Sequence, residues 1–242
     1  MKNRVINVQL IFGFILMTNY SFSQDSTKTS KFSIGFNYAY EISYRSISPN
    51  EEGEKYPIVE DFSIPLLDSL QSSINAYTLG IGLNYQMKKW FAIESGVYYS
   101  LKGHKADEVW FTNDGGTSID TGKITTNYNF IDIPLGININ FRANKLRFFI
   151  ALGGSMNLFI ANNTKAIGNK ITTENKYDSY PLINFSVNVG AGIDYDFHQK
   201  WYLRINPRYQ RFLSNIDRNF KYNYLNWNPY CYGVNVGVYY KF

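Results

Sequence analysis

KFSIGFNYAYEISYR, residues 31–45, places a large apolar side chain at every second position: Phe32, Ile34, Phe36, Tyr38, Tyr40, Ile42 and Tyr44. Between them stand Ser33, Gly35, Asn37, Ala39, Glu41, Ser43 and Arg45. Successive side chains of a β-strand leave opposite faces of the pleat, so this alternation is a strand with one greasy and one polar face. What the greasy face touches decides the fold: the core of a soluble sandwich or barrel, or the acyl chains of a membrane.

The same pattern recurs to the C-terminus. Its apolar rows are Tyr77 to Tyr85, Phe91 to Leu101 with Ser95 as the exception, Ile131 to Phe141, Phe148 to Leu158, Ile183 to Phe197, Leu203 to Tyr209, and Tyr230 to Phe242. With the opening stretch these make eight strands. Their connections alternate. Lys88 to Trp90, Arg142 to Lys145 and His198 to Lys200 are tight turns, whereas Ser46 to Ser72, Gly103 to Lys123, Asn162 to Ser179 and Ser214 to Asn226 are long. In an up-and-down meander all short turns fall at one end, as in outer-membrane barrels with short periplasmic turns and long external loops. The segments run about 12 to 16 residues, where soluble strands average roughly 5 to 6 and a tilted membrane strand needs ~9 to 11.

Aromatic residues sit at the ends of the apolar rows and aliphatic ones in the middle: Tyr77 and Tyr85 bracket Leu79, Ile81 and Leu83, and Tyr232 and Tyr240 bracket three valines. Two interfacial girdles around a hydrocarbon belt require that order. The second row is rich in Gly, Ser and Asn (Gly80, Gly82, Asn84; Asn184, Ser186, Asn188, Gly190). A soluble barrel would turn charged side chains outward on this row. Small and amide side chains instead suit the crowded inside of a narrow barrel. The expected fold is therefore an all-β, transmembrane, eight-stranded antiparallel up-and-down β-barrel.

The first residues agree on compartment. Lys2 and Arg4 precede an apolar run from Val5 to Met17, and Ser21-Phe22-Ser23 suits a signal peptidase. Residues 1–23 read as a cleavable signal peptide and residues 24–242 as the barrel domain, exported across the inner membrane to the bacterial outer membrane. After residue 24 nothing approaches the ~18 apolar residues of a spanning helix. The single cysteine, Cys231, can form no internal disulfide and lies on the inward row as a small filler.

Charged residues on the inward row are few: Glu41, Arg45, Glu94, Lys102, Asp132, Asp194, Asp196, Arg204 and Arg208. Matching outward rows across the turn at His198 to Lys200 pairs Phe197 with Trp201, and hence Asp194 with Arg204. They are expected to form a salt-bridged network filling the lumen, without an open channel, because an eight-stranded interior is only wide enough for side chains. A lipid-modifying hydrolase is the catalytic alternative. His104 shares its row with Ser100, but four residues of strand separate them by about 13 Å, so another strand would have to supply the serine. No catalytic, cofactor or metal site is expected; Asn113-Asp114-Gly115-Gly116 reads as turn chemistry.

The net charge of +5 is no nucleic-acid signature, because Lys88, Lys89, Arg142, Lys145, Lys200, Lys28 and Lys31 gather at the periplasmic end, where they meet phospholipid headgroups. The first long loop carries Glu51, Glu52, Glu54, Glu60, Asp61 and Asp68 together with Ile58, Val59, Phe62, Ile64, Leu66, Leu67 and Leu70. An acidic loop with so much apolar surface is expected to fold over the barrel mouth or to dock a partner, with Glu51, Glu52, Glu54, Glu60, Asp61 and Phe62 as the interaction site.

Four stretches, SGVYYSLKG (Ser95 to Gly103), NFIDIPLGI (Asn129 to Ile137), GAGIDYDF (Gly190 to Phe197) and GVNVGVYYKF (Gly233 to Phe242), resemble the PorT-like outer-membrane β-barrel proteins of bacteria. The resemblance spans the third strand to the C-terminus and implies an eight-stranded barrel without assigned catalysis. The terminal Phe242, with Tyr240 and Val238, looks like the signal by which such barrels are recognised for assembly. The family's namesake is tied to protein secretion. The expected partners are outer-membrane lipid, the barrel-assembly machinery, and an extracellular or secretion-system protein. The expected function is structural or binding, through the external loops, with an accessory subunit of a secretion or motility machine as its alternative.

Overall fold

The computed structural model describes residues 31–56, 64–112, 119–168, 172–175, 180–216 and 224–242. Residues 1–30, where the signal peptide is expected, Glu60, Asp61, Phe62 and the stretch Asn113 to Gly116 lie outside the described residues. The strands are β1 (Phe32–Pro49), β2 (Gln71–Ser72), β3 (Ile74–Lys88), β4 (Phe91–Thr112), β5 (Ile119–Ala143), β6 (Leu146–Gly168), β7 (Thr172–Asn175), β8 (Ile183–His198), β9 (Trp201–Phe212) and β10 (Leu225–Lys241), with a short helix α1 (Ile64–Ser69) before β2. The eight long strands form a single antiparallel ring in the order β1, β3, β4, β5, β6, β8, β9, β10, closed by pairing of β10 with β1. Short β2 and β7 add to the loop ends of β4 and β6. No described helix is long and apolar enough to cross a membrane.

Closure of the ring follows from its register. From Phe32, opposed residues lead through Tyr85, Ile93, Ile137, Leu152, Val189, Tyr209 and Tyr232 back to β1 at Ile42, ten residues beyond the start. A stagger of that size over eight strands inclines them by roughly 40° to the barrel axis. One side-chain row of every strand then faces out. Phe36 is 59% exposed, Leu135 66% and Leu152 58%, while Asn37, Glu41, Ser43, Asn138 and Asn157 are buried. Such an inside-out distribution is favourable when the surrounding solvent is hydrocarbon. Trp90, Phe141, Phe197, Trp201 and Phe242 ring the turn end, and Tyr40, Tyr77, Tyr99, Phe185, Tyr209 and Tyr232 ring the loop end.

The structure corrects three expectations. The strands run to 25 residues in β5, not 12 to 16, because β4, β5 and β6 continue as a ladder beyond the aromatic ring. Much of the expected loops from Gly103 to Lys123 and from Asn162 to Ser179 is therefore strand. At the β8–β9 hairpin Asp194 does oppose Arg204, but Trp201 opposes His198 and not Phe197, because the register shifts by one residue between Tyr195 and His198.

Proline interrupts two ladders in mid-barrel, where it cannot donate an amide. The β4–β5 register passes over Gly96–Pro134, and the β8–β9 register passes over Ala191–Pro207. Polar side chains fill in. Ser95, the exception in its apolar row, donates to the Pro134 carbonyl at 2.8 Å. With its amide oriented to donate, Asn206 reaches the carbonyls of Pro207 at 2.8 Å and Ala191 at 3.1 Å.

Inward glycines leave room for rings from facing strands. A Cβ at Gly82 would stand 2.5 Å from Tyr239 Oη, 2.6 Å from Tyr98 Oη and 2.7 Å from Asn37 Nδ2, and one at Gly192 would stand 2.5 Å from Phe149 Cζ. We expect Gly82→Val to overpack the lumen and lower unfolding stability by about 1–3 kcal/mol, read as an earlier urea midpoint of the heat-shifted gel band. An unchanged midpoint would contradict this packing.

Candidate functional site

The lumen holds two layers of ion pairs. Near the turn end, Asp194 on β8 and Arg204 on β9, directly opposed, meet through two hydrogen bonds: Nε donates to Oδ1 at 2.7 Å and Nη2 to Oδ2 at 3.0 Å. Arg204 Nη1 also donates to Glu94 Oε2 at 2.8 Å, and Arg147 Nη2 donates to Asp194 Oδ2 at 2.6 Å. Tyr202 and Tyr239 stack at 4.9 Å beside this cluster, and the Arg204 guanidinium lies 4.4 Å from the Phe149 ring centre. Lys241 pairs with Asp196 at the same end.

The second layer is nearer the loop end. Arg208 Nε donates to Glu41 Oε1 at 3.0 Å, and Thr78 Oγ1 to Glu41 Oε2 at 2.7 Å. Lys102 Nζ donates to Asp132 Oδ2 at 3.0 Å, and Asn157 Nδ2 to Asp132 Oδ1 at 2.6 Å. Glu41, Lys102, Asp194 and Arg204 are fully or almost fully buried, so each charge depends on its partner to offset desolvation. Between the layers lies a cavity of about 70 Å³, lined by Thr78, Glu94, Tyr98, Asn188, Arg204 and Arg208 among others. Above them a buried cluster of Tyr128, Phe130, Phe212 and Ile216, packed with Phe159, Tyr180 and Trp227, crosses the mouth. The Phe130 and Phe212 rings are 5.2 Å apart.

The structure thus brings Glu41, Glu94, Lys102, Asp132, Asp194, Arg204 and Arg208 into the lumen. Arg45 lies at the mouth, where its guanidinium stacks 3.8 Å from the Trp227 ring centre and Nε donates to Gln71 Oε1 at 3.0 Å. Cys231 is buried beside Glu41. Sequence reasoning missed Arg147, although its place between the outward residues Leu146 and Phe148 marked it as inward. It also missed the lumen aromatics, which the same parity identifies: Tyr98, Phe130, Phe149, Tyr202, Phe212 and Tyr239.

His104 is buried on β4 with Nδ1 unpartnered, and its ring centre is 6.0 Å from that of Tyr128. Ser100 Oγ is unpartnered too. Ser43 on β1 is held by the backbone of the neighbouring Gly103: it donates to the carbonyl at 2.8 Å and accepts from the amide at 3.0 Å.

The first loop is pinned at both ends. Asn50 N donates to Tyr224 O at 2.9 Å, and Tyr44 Oη donates to Gln71 O at 3.3 Å. Between these anchors Glu51, Glu52 and Glu54 are exposed, as are Tyr56 and Leu66, and α1 has no buried residue. Val238 and Tyr240 lie on the outward row of β10, opposite Phe36 and Ile34, and Phe242 N donates to Phe32 O at 3.2 Å.

A family model described as an outer membrane protein beta-barrel domain matches residues 22–218. Among solved structures the chain is similar to Neisserial surface protein A, at 13% identity over 88% of this chain and 98% of that one with a TM-score of 0.47. It is similar to the outer membrane protein OprG from Pseudomonas aeruginosa, at 9% identity over 90% and 100% with a TM-score of 0.44. The outer membrane protease OmpT from Escherichia coli aligns at 12% identity over 92% and 100% with a TM-score of 0.44. No curated protein matches the chain in sequence.

Asp194→Asn would leave buried Arg204 and half-buried Arg147 without their shared anion. The expected loss is about 3–5 kcal/mol of unfolding free energy, against a smaller loss for Glu94→Gln, whose side chain is 28% exposed. Equal losses in the two variants, measured in the same urea titration, would show that the Asp194 pair is not the keystone of this layer.

Proposed function

The chain belongs to the outer membrane protein beta-barrel family, and we propose that it is a non-conducting structural or binding member that works through its extracellular loops. Exported by its N-terminal signal, it sits in the outer membrane with its turns in the periplasm and its long loops outside. The observation that carries the reading is the filling of the lumen. Glu41, Glu94, Asp132 and Asp194 are matched by Lys102, Arg147, Arg204 and Arg208 in ion pairs no longer than 3.0 Å. The cavity between them, about 70 Å³, is far below the ~300 Å³ at which pockets for drug-sized ligands begin. A network without surplus charge offers no ion a reason to enter.

The loops carry what remains available for recognition. Exposed Glu51, Glu52 and Glu54 beside Tyr56 and Leu66 suit a partner with a basic and apolar face, and Glu60, Asp61 and Phe62 extend the same segment. The resemblance of Ser95–Gly103, Asn129–Ile137, Gly190–Phe197 and Gly233–Phe242 to the PorT-like proteins favours, as a second reading, an accessory subunit of a secretion or motility machine. Lipid hydrolysis is the weakest alternative, because Ser43 is engaged by Gly103 and His104 bonds no described serine.

Two measurements test these readings. In planar bilayers the purified protein should give no stepwise conductance, with Phe130→Ala and Phe212→Ala equally silent because the ion-pair layers lie beneath those rings; steady conductance of the wild type would overturn the non-conducting reading. Affinity purification from native outer membranes, beside a variant lacking residues 50–70, should recover a stoichiometric partner that the deletion loses. A lone barrel from both samples would overturn the loop-binding reading.

A further inference from the structure

The outward rows carry one charged side chain at membrane depth. Among the described residues, every outward position from the turn end to the tyrosine girdle is apolar, aromatic or a small neutral group except Arg211 on β9. Other outward cations, such as Lys123 and Lys165, stand farther out on the long extensions of β5 and β6. Arg211 is exposed on the barrel wall, with Tyr230 of β10 opposite on one side and Val187 of β8 opposite on the other. No described carboxylate or carbonyl pairs with its guanidinium.

An unpaired guanidinium on a lipid-facing row is costly at the bilayer midplane and cheap only where it reaches the headgroups. Arg211 lies at that level, in the loop-end girdle. The Tyr230 ring is 6.1 Å from that of Tyr209 and stacks on Tyr44 at 5.7 Å, so a bank of three tyrosines flanks the charge. Exposed Val187 and Leu213 lie on its other side. Cation, phenol bank and aliphatic ledge together match an amphiphile with an anionic head and acyl chains.

We infer that Arg211, with Tyr209 and Tyr230, is a docking site for the phosphate of a phosphorylated lipid in the outer leaflet. The planar guanidinium offers two parallel N–H donors to a phosphate, the phenols supply further donors at the same depth, and the chains lie along Val187 and β8. The site is independent of the loop-binding proposal, since it lies on the barrel wall below the loops.

The test is native mass spectrometry of the detergent-purified barrel with a phosphorylated glycolipid (lipid A) and the same lipid after enzymatic removal of its phosphates. Wild type should retain the phosphorylated form about fivefold better. Arg211→Gln should lose that preference, Arg211→Lys should keep part of it, and Lys89→Gln, at the periplasmic turn, should behave as wild type. Heat-shifted gel mobility confirms that each variant is folded, and Arg211→Lys serves if the Gln variant does not assemble. An Arg211→Gln barrel that keeps the wild-type preference, a Lys89→Gln barrel that loses it, or a wild type that does not distinguish the two lipids would overturn the assignment.

Discussion

In hydrocarbon no water is available to a backbone amide or carbonyl, and each one left unbonded costs several kcal/mol. The rest of this structure depends on that requirement. It forces the strands into a ring, and the ring can close only when the stagger, from Phe32 round to Ile42, agrees with the number of strands. Even its local exceptions obey it. Where Pro134 and Pro207 withhold an amide, Ser95 and Asn206 bring polar side chains to the interrupted seams.

A ring of eight also decides what its interior can be. The space is narrow enough that side chains from opposite walls meet, so glycines and rings are complementary: Gly82 yields to Tyr98 and Tyr239, and Gly192 to Phe149. Charges are tolerated there only in compensated groups. Arg204 illustrates the point, held by two carboxylates and bordered by aromatic faces. Removing one member of such a pair is costly because the other charge is left buried without its partner.

Much of the fold was legible in the sequence because a membrane barrel repeats a two-residue period against an apolar solvent, and KFSIGFNYAYEISYR shows that period without interruption. The opposition of Asp194 and Arg204 was legible too, since matching the outward apolar rows of the two strands fixes which inward residues face each other even though the turn itself is out of step by one. What stayed hidden was of a different kind. The one-residue shift that sets Trp201 against His198 is a local backbone irregularity with no compositional mark. The extensions of β4, β5 and β6 lose the apolar half of the alternation once they leave the bilayer, so they read as loops. Arg147 and the lumen aromatics were obscured by the average character of the inward row, rich in Gly, Ser and Asn, although parity alone placed them inside. Arg211 was legible as an outward charge, but its place beside the tyrosine bank needed the register of three strands.

The two proline-interrupted seams divide the wall of the barrel unequally. One panel comprises β5, β6 and β8; the other comprises β9, β10, β1, β3 and β4. Each of these seams keeps its backbone ladder on both sides of the proline and drops only two opposed pairs there, where the side chains of Ser95 and Asn206 reach the carbonyls. The wall is thus a continuous ring with one short proline interruption in each of two seams. Inside, Arg204–Asp194 spans the seam between β9 and β8 and Lys102–Asp132 the seam between β4 and β5, so the buried ion pairs bridge the two places where the wall drops a backbone bond.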